Sequence, residues 1–181
     1  NTIKQSNLHH GSDYTPFEGI EIKGWPIQTW LRGQKIYDKN NSQTLVNLTS
    51  PKMGTKILSD SDEFFGEAIR MLSDKEPVFI EDKFDAHGKW MDGWESKRRR
   101  DGGNDWAIVK LGSPGIISTI EVDTSFFTGN FPPFFSLEGT DSKESAKNES
   151  EWTPLITKSY LIGDQKNNFN IESNITLNYV R

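Results

Sequence analysis

The chain has 181 residues and a net charge of -5, and this acidic balance excludes a general attraction to nucleic acid or to an anionic membrane surface. Only 33% of the residues are hydrophobic, but 12% are aromatic, which is too many for a disordered chain. We therefore expect one compact domain, or one domain with an appendage, and the absence of cysteine excludes disulfides, thiolate zinc sites and cysteine nucleophiles.

The first 41 residues predict a short β segment followed by a linker. Residues 14–19 predict a turn, residues 20–23 alternate like an edge strand, and residues 25–37 predict two short strands joined around Gly33. Residues 38–42 are polar and predict a joint, so we place a boundary between residues 41 and 42. So short a segment cannot bury enough surface to fold alone. Its aromatic side chains would promote self-association, so a homo-oligomer is one expectation.

Residues 42–181 are predicted to be mainly β, with a spacing of strands that favours a β-sandwich or jelly roll. One helical turn is predicted over residues 62–72, with Asp62 as its cap and with Phe65, Ile69 and Leu72 on one face. No turn follows the last strand, so we expect this domain to be incomplete at its C-terminus. The predicted strands are 105–111, 116–123, 134–138, 152–157 and 175–180, and the first two are separated by a turn at Gly112-Ser-Pro-Gly115.

The sequence predicts neither a signal peptide nor a membrane span. The start, Asn1-Thr-Ile-Lys-Gln5, is polar and unlike a signal peptide. No apolar stretch approaches the roughly 20 residues that a membrane span needs. A cytoplasmic location is therefore the default expectation.

The segment Asp92-Gly-Trp-Glu95 places two carboxylates three residues apart around a glycine that permits an unusual backbone angle. If the backbone turns there, both carboxylates face one cavity, where Trp90 and Trp94 would raise one pKa and leave an acid beside a base. Asp92 and Glu95 are therefore catalytic candidates, and Trp94 is a substrate-binding candidate. The alternative is that Asp92 caps a turn and the tryptophans belong to the core.

The basic run Lys97-Arg-Arg-Arg100 follows immediately. Such a run is usually a solvated face, but paired guanidinium groups also suit the binding of a substrate carboxylate. In a strand, Arg98 and Arg100 would point together and Arg99 would point the other way. Arg98 and Arg100 are therefore substrate-binding candidates.

Asp123 ends a β-branched strand, and an aromatic loop with a Gly-Asn turn follows it. Sites concentrate at strand ends and loops, so Asp123 is a third catalytic candidate. Asn130 could hydrogen-bond a urea-like group through both atoms of its amide, or it could form only an Asx turn over a cluster of phenylalanines. His9, His10 and His87 lack the spacing of metal ligands, so no metal site is predicted and the cofactor stays unknown.

The order of these motifs resembles the allantoicase family over residues 43–181. The matching segments are Val46-Asn-Leu-Thr-Ser50, Gly54-Thr-Lys-Ile-Leu58, Asp62-Glu-Phe-Phe65, Pro77-Val-Phe-Ile80, Gly88-Lys-Trp-Met-Asp-Gly-Trp-Glu-Ser96, Asn104-Asp-Trp106, Lys110-Leu-Gly112 and Val122-Asp-Thr-Ser-Phe-Phe-Thr-Gly-Asn-Phe-Pro-Pro133. The resemblance implies a galactose-binding-like jelly roll and the hydrolysis of allantoate to ureidoglycolate and urea. Allantoicases usually carry two copies of this repeat, and one copy is expected here. A non-catalytic ligand-binding or assembly module is the alternative.

The first part resembles a different family. Leu8-His-His-Gly-Ser-Asp-Tyr-Thr-Pro-Phe-Glu-Gly19, Gly24-Trp-Pro26 and Leu31-Arg-Gly-Gln-Lys-Ile-Tyr37 are similar to the C-terminal end of allantoinase and hydantoinase-type amidohydrolases. That resemblance implies that residues 1–41 are a tail and linker, without the metal-binding barrel of that superfamily. The two resemblances belong to consecutive steps of allantoin degradation, so we expect a piece of an allantoinase–allantoicase fusion.

Overall fold

The computed structural model describes residues 2–4, 16–23, 28–31, 34–38, 45–100, 102–142 and 152–181. The chain divides into two compact units, Asn1–Val46 and Asn47–Arg181. Most of the predicted joint at residues 38–42 lies outside the described residues. The described residues form β-strands and two short 3₁₀ helices, so the mainly β prediction is confirmed.

The first unit contains an antiparallel pair of strands, β1 (Gln28–Leu31) and β2 (Gln34–Asp38). This pair confirms the two short strands predicted between residues 25 and 37. Residues 16–19 form the predicted turn, and Gly19 has a φ of 81°, a backbone angle that glycine adopts without strain. The predicted edge strand at residues 20–23 is reduced to one isolated bridge between Thr2 and Glu21.

A five-stranded antiparallel sheet dominates the second unit, with strand order β3-β6-β11-β8-β9. Strands β7 and β10 form a separate antiparallel pair, and β4 and β5 form a short hairpin. Strands β6, β7, β8, β9 and β11 match the predicted strands with shifted ends. The bounds are β3 Lys56–Asp60, β4 Phe84–Asp85, β5 Gly88–Lys89, β6 Ala107–Gly115, β7 Thr119–Asp123, β8 Phe134–Thr140, β9 Thr153–Tyr160, β10 Lys166–Asn170 and β11 Leu177–Val180.

The core lies on the inner face of the five-stranded sheet. In β6 the apolar residues Ala107, Val109 and Leu111 are buried at every second position, as a half-buried strand requires. Leu177 of the central strand β11 is fully buried. Side chains of β7 and β10 pack against the same apolar cluster, so both sheets share one core. The label of jelly-roll sandwich stays a prediction.

The turn predicted at Gly112-Ser-Pro-Gly115 is wrong, because these residues continue strand β6. The glycines are needed for close packing instead. A Cβ atom on Gly112 would lie 2.5 Å from Cβ of Met53, and one on Gly115 would lie 2.7 Å from Cδ1 of Leu48. Residues 116–118 lie outside any strand and connect β6 to β7.

The predicted helical turn is also shorter than expected. The 3₁₀ helix η1 spans Pro51–Met53, and η2 spans only Ala68–Leu72. Asp62 does not cap η2, because its carboxylate accepts hydrogen bonds from the backbone N–H groups of Phe64 and Lys97. Leu72 is buried but Ile69 is 42% exposed, so the predicted apolar face does not form. No helix in the described parts of the chain is both long and apolar enough to cross a membrane.

Candidate functional site

Glu95 and Asn130 meet through their side chains, although 35 positions separate them in the sequence. Nδ2 of Asn130 donates a hydrogen bond of 2.8 Å to Oε1 of Glu95. The backbone of Glu95 is fixed by an antiparallel bridge to Gly66, with hydrogen bonds of 2.9 and 3.1 Å in the two directions. The two sequence motifs that carry catalytic candidates are therefore joined at this pair.

The loop that carries Asn130 rests on the segment that carries Glu95. Gly93 lies so close to the Phe127 ring that a Cβ atom would be 3.1 Å from Cε2 of that ring. The role predicted for Gly93 was an unusual backbone angle, but Gly93 is not among the glycines with positive φ. Its lack of a side chain makes room for Phe127 instead.

The far side of this loop is held by Asp164. Its Oδ1 atom accepts a hydrogen bond of 2.7 Å from the N–H of Phe126, which has a φ of 69°. The N–H of Asp164 donates to the carbonyl oxygens of Thr124 and Phe127. Left-handed backbone at a phenylalanine is uncommon, so these bonds hold a conformation that the sequence alone disfavours.

Asp92 and Asp123 both make contacts that hold loops. Oδ2 of Asp92 accepts a hydrogen bond of 3.0 Å from the N–H of Val78. Oδ1 of Asp123, the last residue of β7, accepts a bond of 2.8 Å from the N–H of Ser125. The catalytic roles of Asp92 and Asp123 stay predictions, as does that of Glu95.

The two tryptophans of the motif have different surroundings. Nε1 of Trp94 donates a hydrogen bond of 2.8 Å to the carbonyl oxygen of Asp62, and this bond orients the half-buried indole. The Trp90 ring lies 3.4 Å from Nζ of Lys83 and 5.9 Å from Cζ of Arg70, as in cation–π contacts. The substrate-binding role of Trp94 stays a prediction.

The basic run borders an open groove of about 220 Å³. Nε of Arg99 lies 3.1 Å from Oδ1 of Asp105, whereas Arg98 and Arg100 form no ion pair or hydrogen bond with the part of the chain that the structure describes. The basic run does not lie in a strand, so strand geometry does not impose the predicted alternation of Arg98 and Arg100 with Arg99. The groove is lined by Ser61, Asp62, Lys97, Arg98, Arg99, Arg100 and Asp105.

Asp105 is a residue of this region that the sequence-based candidates omit. Its Oδ1 accepts hydrogen bonds from Ser61 Oγ at 2.9 Å and Arg99 Nε at 3.1 Å, and its Oδ2 accepts one from Ser96 Oγ at 2.8 Å. Burial alone would raise the pKa of Asp105, but the bonds from Ser96, Arg99 and Ser61 and the charge of Arg99 hold it below the usual 3.8. The one sequence signal was its place in the motif Asn104-Asp-Trp106.

Within the described ranges, no group of three or more His, Asp or Glu side chains could hold a metal ion. His87 lies against Phe64, with ring centroids 4.3 Å apart. His9 and His10 lie outside the described residues.

Comparison with known sequences gives one family match. The Allantoicase repeat family profile matches residues 46–181. A probable allantoicase of Acinetobacter baylyi is 46% identical over 138 residues, which are 76% of this chain and 41% of that protein. Probable allantoicase 1 of Burkholderia mallei is 47% identical over 120 residues, which are 66% of this chain and 36% of that protein. The chain thus spans about two fifths of the length of the curated relatives that it matches.

Solved structures give the same match. A structure of an allantoicase superposes with a TM-score of 0.64 at 27% identity, covering 75% of this chain and 42% of that one. The crystal structure of allantoicase from Saccharomyces cerevisiae superposes with a TM-score of 0.62 at 30% identity, with the same two coverages. Both matches cover less than half of the solved chains.

Proposed function

The chain belongs to the allantoicase family, and we propose that it forms part of an enzyme that hydrolyses allantoate to ureidoglycolate and urea. The observation that carries the proposal is the hydrogen bond between Asn130 and Glu95. This bond brings an amide suited to a ureido group against a carboxylate suited to proton transfer.

The chemistry requires an acid and a base near one carbon atom. The central carbon of allantoate carries two ureido groups, a carboxylate and a hydrogen. Protonation of one ureido nitrogen lets urea leave as the C–N bond breaks, and water then adds to the acylimine-like carbon and gives up a proton. We assign these proton transfers to Glu95, with Asp92 and Asp123 as the other candidates.

Asn130 and the arginines would orient the substrate. Nδ2 of Asn130 donates to Glu95, and the amide oxygen can accept a hydrogen bond from a ureido N–H. Arg98 and Arg100 line the open groove without a partner among the described residues, and a guanidinium group binds a carboxylate through paired hydrogen bonds. We assign the substrate carboxylate to these two arginines.

A substitution of Glu95 tests the catalytic assignment. In the complete natural protein, Glu95→Gln should lower kcat for allantoate about 10²- to 10⁴-fold, because the amide cannot transfer a proton. Glu172→Gln is the matched control, since Glu172 is an exposed glutamate outside the site. Wild-type turnover by the Glu95→Gln protein would rule out its role.

A non-catalytic module is the second candidate function. It is favoured by the fact that the chain matches less than half of the length of its curated relatives. The chain spans 41% of the Acinetobacter baylyi relative, so an active site could require residues beyond this repeat. The test compares urea release by the 181-residue chain and by the complete protein. Equal specific activity would exclude the module.

The finer fold assignments are proposals as well. We propose a galactose-binding-like jelly roll for residues 42–181, supported by two sheets that share one core. For residues 1–41 we propose an amidohydrolase tail and linker within an allantoinase–allantoicase fusion, supported by the motifs and by the separate β1–β2 unit. An upstream coding sequence without an amidohydrolase barrel would contradict the fusion.

A further inference from the structure

Asp105 connects three segments that border the candidate site. Ser61 follows strand β3, Ser96 is the immediate neighbour of Glu95, and Arg99 belongs to the basic run. One carboxylate accepts hydrogen bonds from all three, and the bond from Arg99 is charge-assisted. The side chain of Asp105 is 28% exposed, so solvent screens this network only in part.

The network divides the arginines of the groove into two kinds. The charge of Arg99 is compensated by Asp105, whereas Arg98 and Arg100 have no partner among the described residues. A substrate carboxylate in the groove would therefore meet two guanidinium groups that have no partner in the described ranges, and a third that Asp105 holds in place.

We propose that Asp105 is a positioning residue of the allantoate site, which fixes the orientation of Arg99 in the groove and holds Ser96 beside Glu95. This inference rests on the proposed function. Asp105 acts through Arg99 and Ser96 and does not itself touch the reacting atoms. Its carboxylate stays charged at neutral pH, because its pKa lies below the usual range.

The substitution Asp105→Asn separates a positioning role from a simple electrostatic role, because the two roles predict changes of opposite sign in KM for allantoate. Loss of one negative charge makes the groove more positive, so electrostatics alone would lower KM for the allantoate anion. Release of Arg99 and displacement of its neighbours should instead raise KM about tenfold. Ser96→Ala removes only the contact beside Glu95, so it should lower kcat about threefold to tenfold with KM within twofold.

Asp74→Asn is the matched control. Asp74 accepts a hydrogen bond of 2.7 Å from Ser50 Oγ and lies 3.4 Å from Nζ of Lys52, so it combines a serine and a cation in the same way. It does not line the groove. Its substitution should leave KM and kcat unchanged per folded molecule. Equal kinetic effects of Asp105→Asn and Asp74→Asn would overturn the proposal.

A rescue variant keeps the test independent of folding defects. In Asp105→Asn with Arg99→Gln, an uncharged amide pair replaces the ion pair, so the groove regains its wild-type net charge and the two side chains can again hydrogen-bond to each other. KM should return to within about threefold of the wild-type value. A KM that stays as high as in Asp105→Asn alone would count against the held position of Arg99.

Arginine labelling distinguishes failure of this inference from failure of the proposed function. Phenylglyoxal should modify Arg98 and Arg100 several-fold faster than Arg99 in the complete wild-type protein, and Asp105→Asn should accelerate labelling of Arg99 about tenfold. Mass spectrometry gives the rate at each residue. Absence of allantoate turnover would contradict the proposed function alone, whereas equal wild-type labelling of all three arginines would contradict the positioning role.

Discussion

Because the pKa of Asp105 is lowered in the folded state, the free energy of unfolding depends on pH. A folded-state pKa below the unfolded value of about 3.8 means that the native state favours the carboxylate. The resulting stabilisation is fully present above about pH 5 and is lost as the pH falls through the lower folded-state value.

Asp105→Asn should therefore cost about 1–3 kcal/mol at pH 7, because it removes a charged hydrogen-bond acceptor. Urea denaturation at a series of pH values measures the difference from wild type. This difference should stay constant from pH 7 to about pH 5 and shrink below about pH 4. A difference that is unchanged at pH 2.5 would show that the charge of Asp105 does not stabilise the fold.

Asp60, at the end of β3, shows the opposite shift. Burial and then the neighbouring carboxylates Glu63 and Asp62 raise the pKa of Asp60 above 3.8. The folded state therefore disfavours the charged form, and this penalty applies at pH values above the folded-state pKa.

Asp60→Asn should stabilise the protein at pH 7 by up to about 1 kcal/mol, since it removes a charge that is disfavoured by burial and then by the neighbouring carboxylates. Below about pH 3 the aspartic acid is neutral in both states, so the gain should vanish. Thermal melts at pH 7 and pH 3 provide the measurement. A destabilised variant at pH 7 would contradict the sign of the shift.

At the scale of the structural elements, Gly93 sets the distance between the Glu95 segment and the Asn130 loop. Gly93→Ala would place a Cβ atom 3.1 Å from Phe127, so the ring must give way by a few tenths of an ångström. We expect a tenfold or larger fall in kcat for allantoate with a stability loss of at most about 1–3 kcal/mol. Turnover and urea denaturation give the two quantities.

Gly129→Ala is the control for this substitution. Gly129 lies in the same loop, has no positive φ and has open space around its missing Cβ atom. Its substitution should leave turnover within about twofold of wild type. Equal losses of activity in the two variants would show that the loop tolerates no added methyl group and that Gly93 has no special role.

The central strand β11 supports the core through Leu177. This side chain is fully buried and lies where a Cβ atom on Gly139 would approach it to 2.7 Å. Leu177→Ala should destabilise the protein by about 2–5 kcal/mol, because it removes buried methyl groups and leaves a cavity. Ile175→Ala, at a position that is 41% exposed, should cost much less in the same denaturation experiment.

Strands with alternating apolar residues were predicted from the sequence, and strands without this alternation were not. Ala107, Val109 and Leu111 alternate with less buried residues, so β6 was readable from sequence. Strand β10 was missed because its buried position is Asn167, whose Nδ2 donates to the carbonyl oxygens of Val122 and Ile162. Satisfied polar groups inside a fold leave no hydrophobic signal.

The candidate site, like the fold, was predicted only in part from the sequence. Glu95 and Asn130 were candidates because their motifs are unusual, and the structure joins them by a hydrogen bond. Asp105 was missed, because its importance comes from Ser61 and Ser96, which lie 44 and 9 positions away in the sequence. Local patterns cannot show such a convergence of distant side chains.

At the scale of the whole molecule, the net charge of the chain and the charge of the basic groove have opposite signs. The chain carries a net charge of -5, which repels an anionic substrate at long range. Arg98 and Arg100 offer a local attraction at the groove. Salt screens exposed charges over a Debye length of about 10 Å at 0.1 M, so it weakens both effects.

The local attraction should dominate at the site, so KM for allantoate should rise about twofold to fivefold between roughly 20 and 300 mM sodium chloride. In the double variant Arg98→Gln and Arg100→Gln, the groove loses two of its four cations and the net repulsion grows. KM should therefore be higher at every salt concentration, and its rise with salt should be smaller or absent. Sucrose at equal osmolality is the control for effects that do not depend on charge. The same rise of KM with salt in wild type and double variant would mean that these two arginines do not bind the substrate carboxylate.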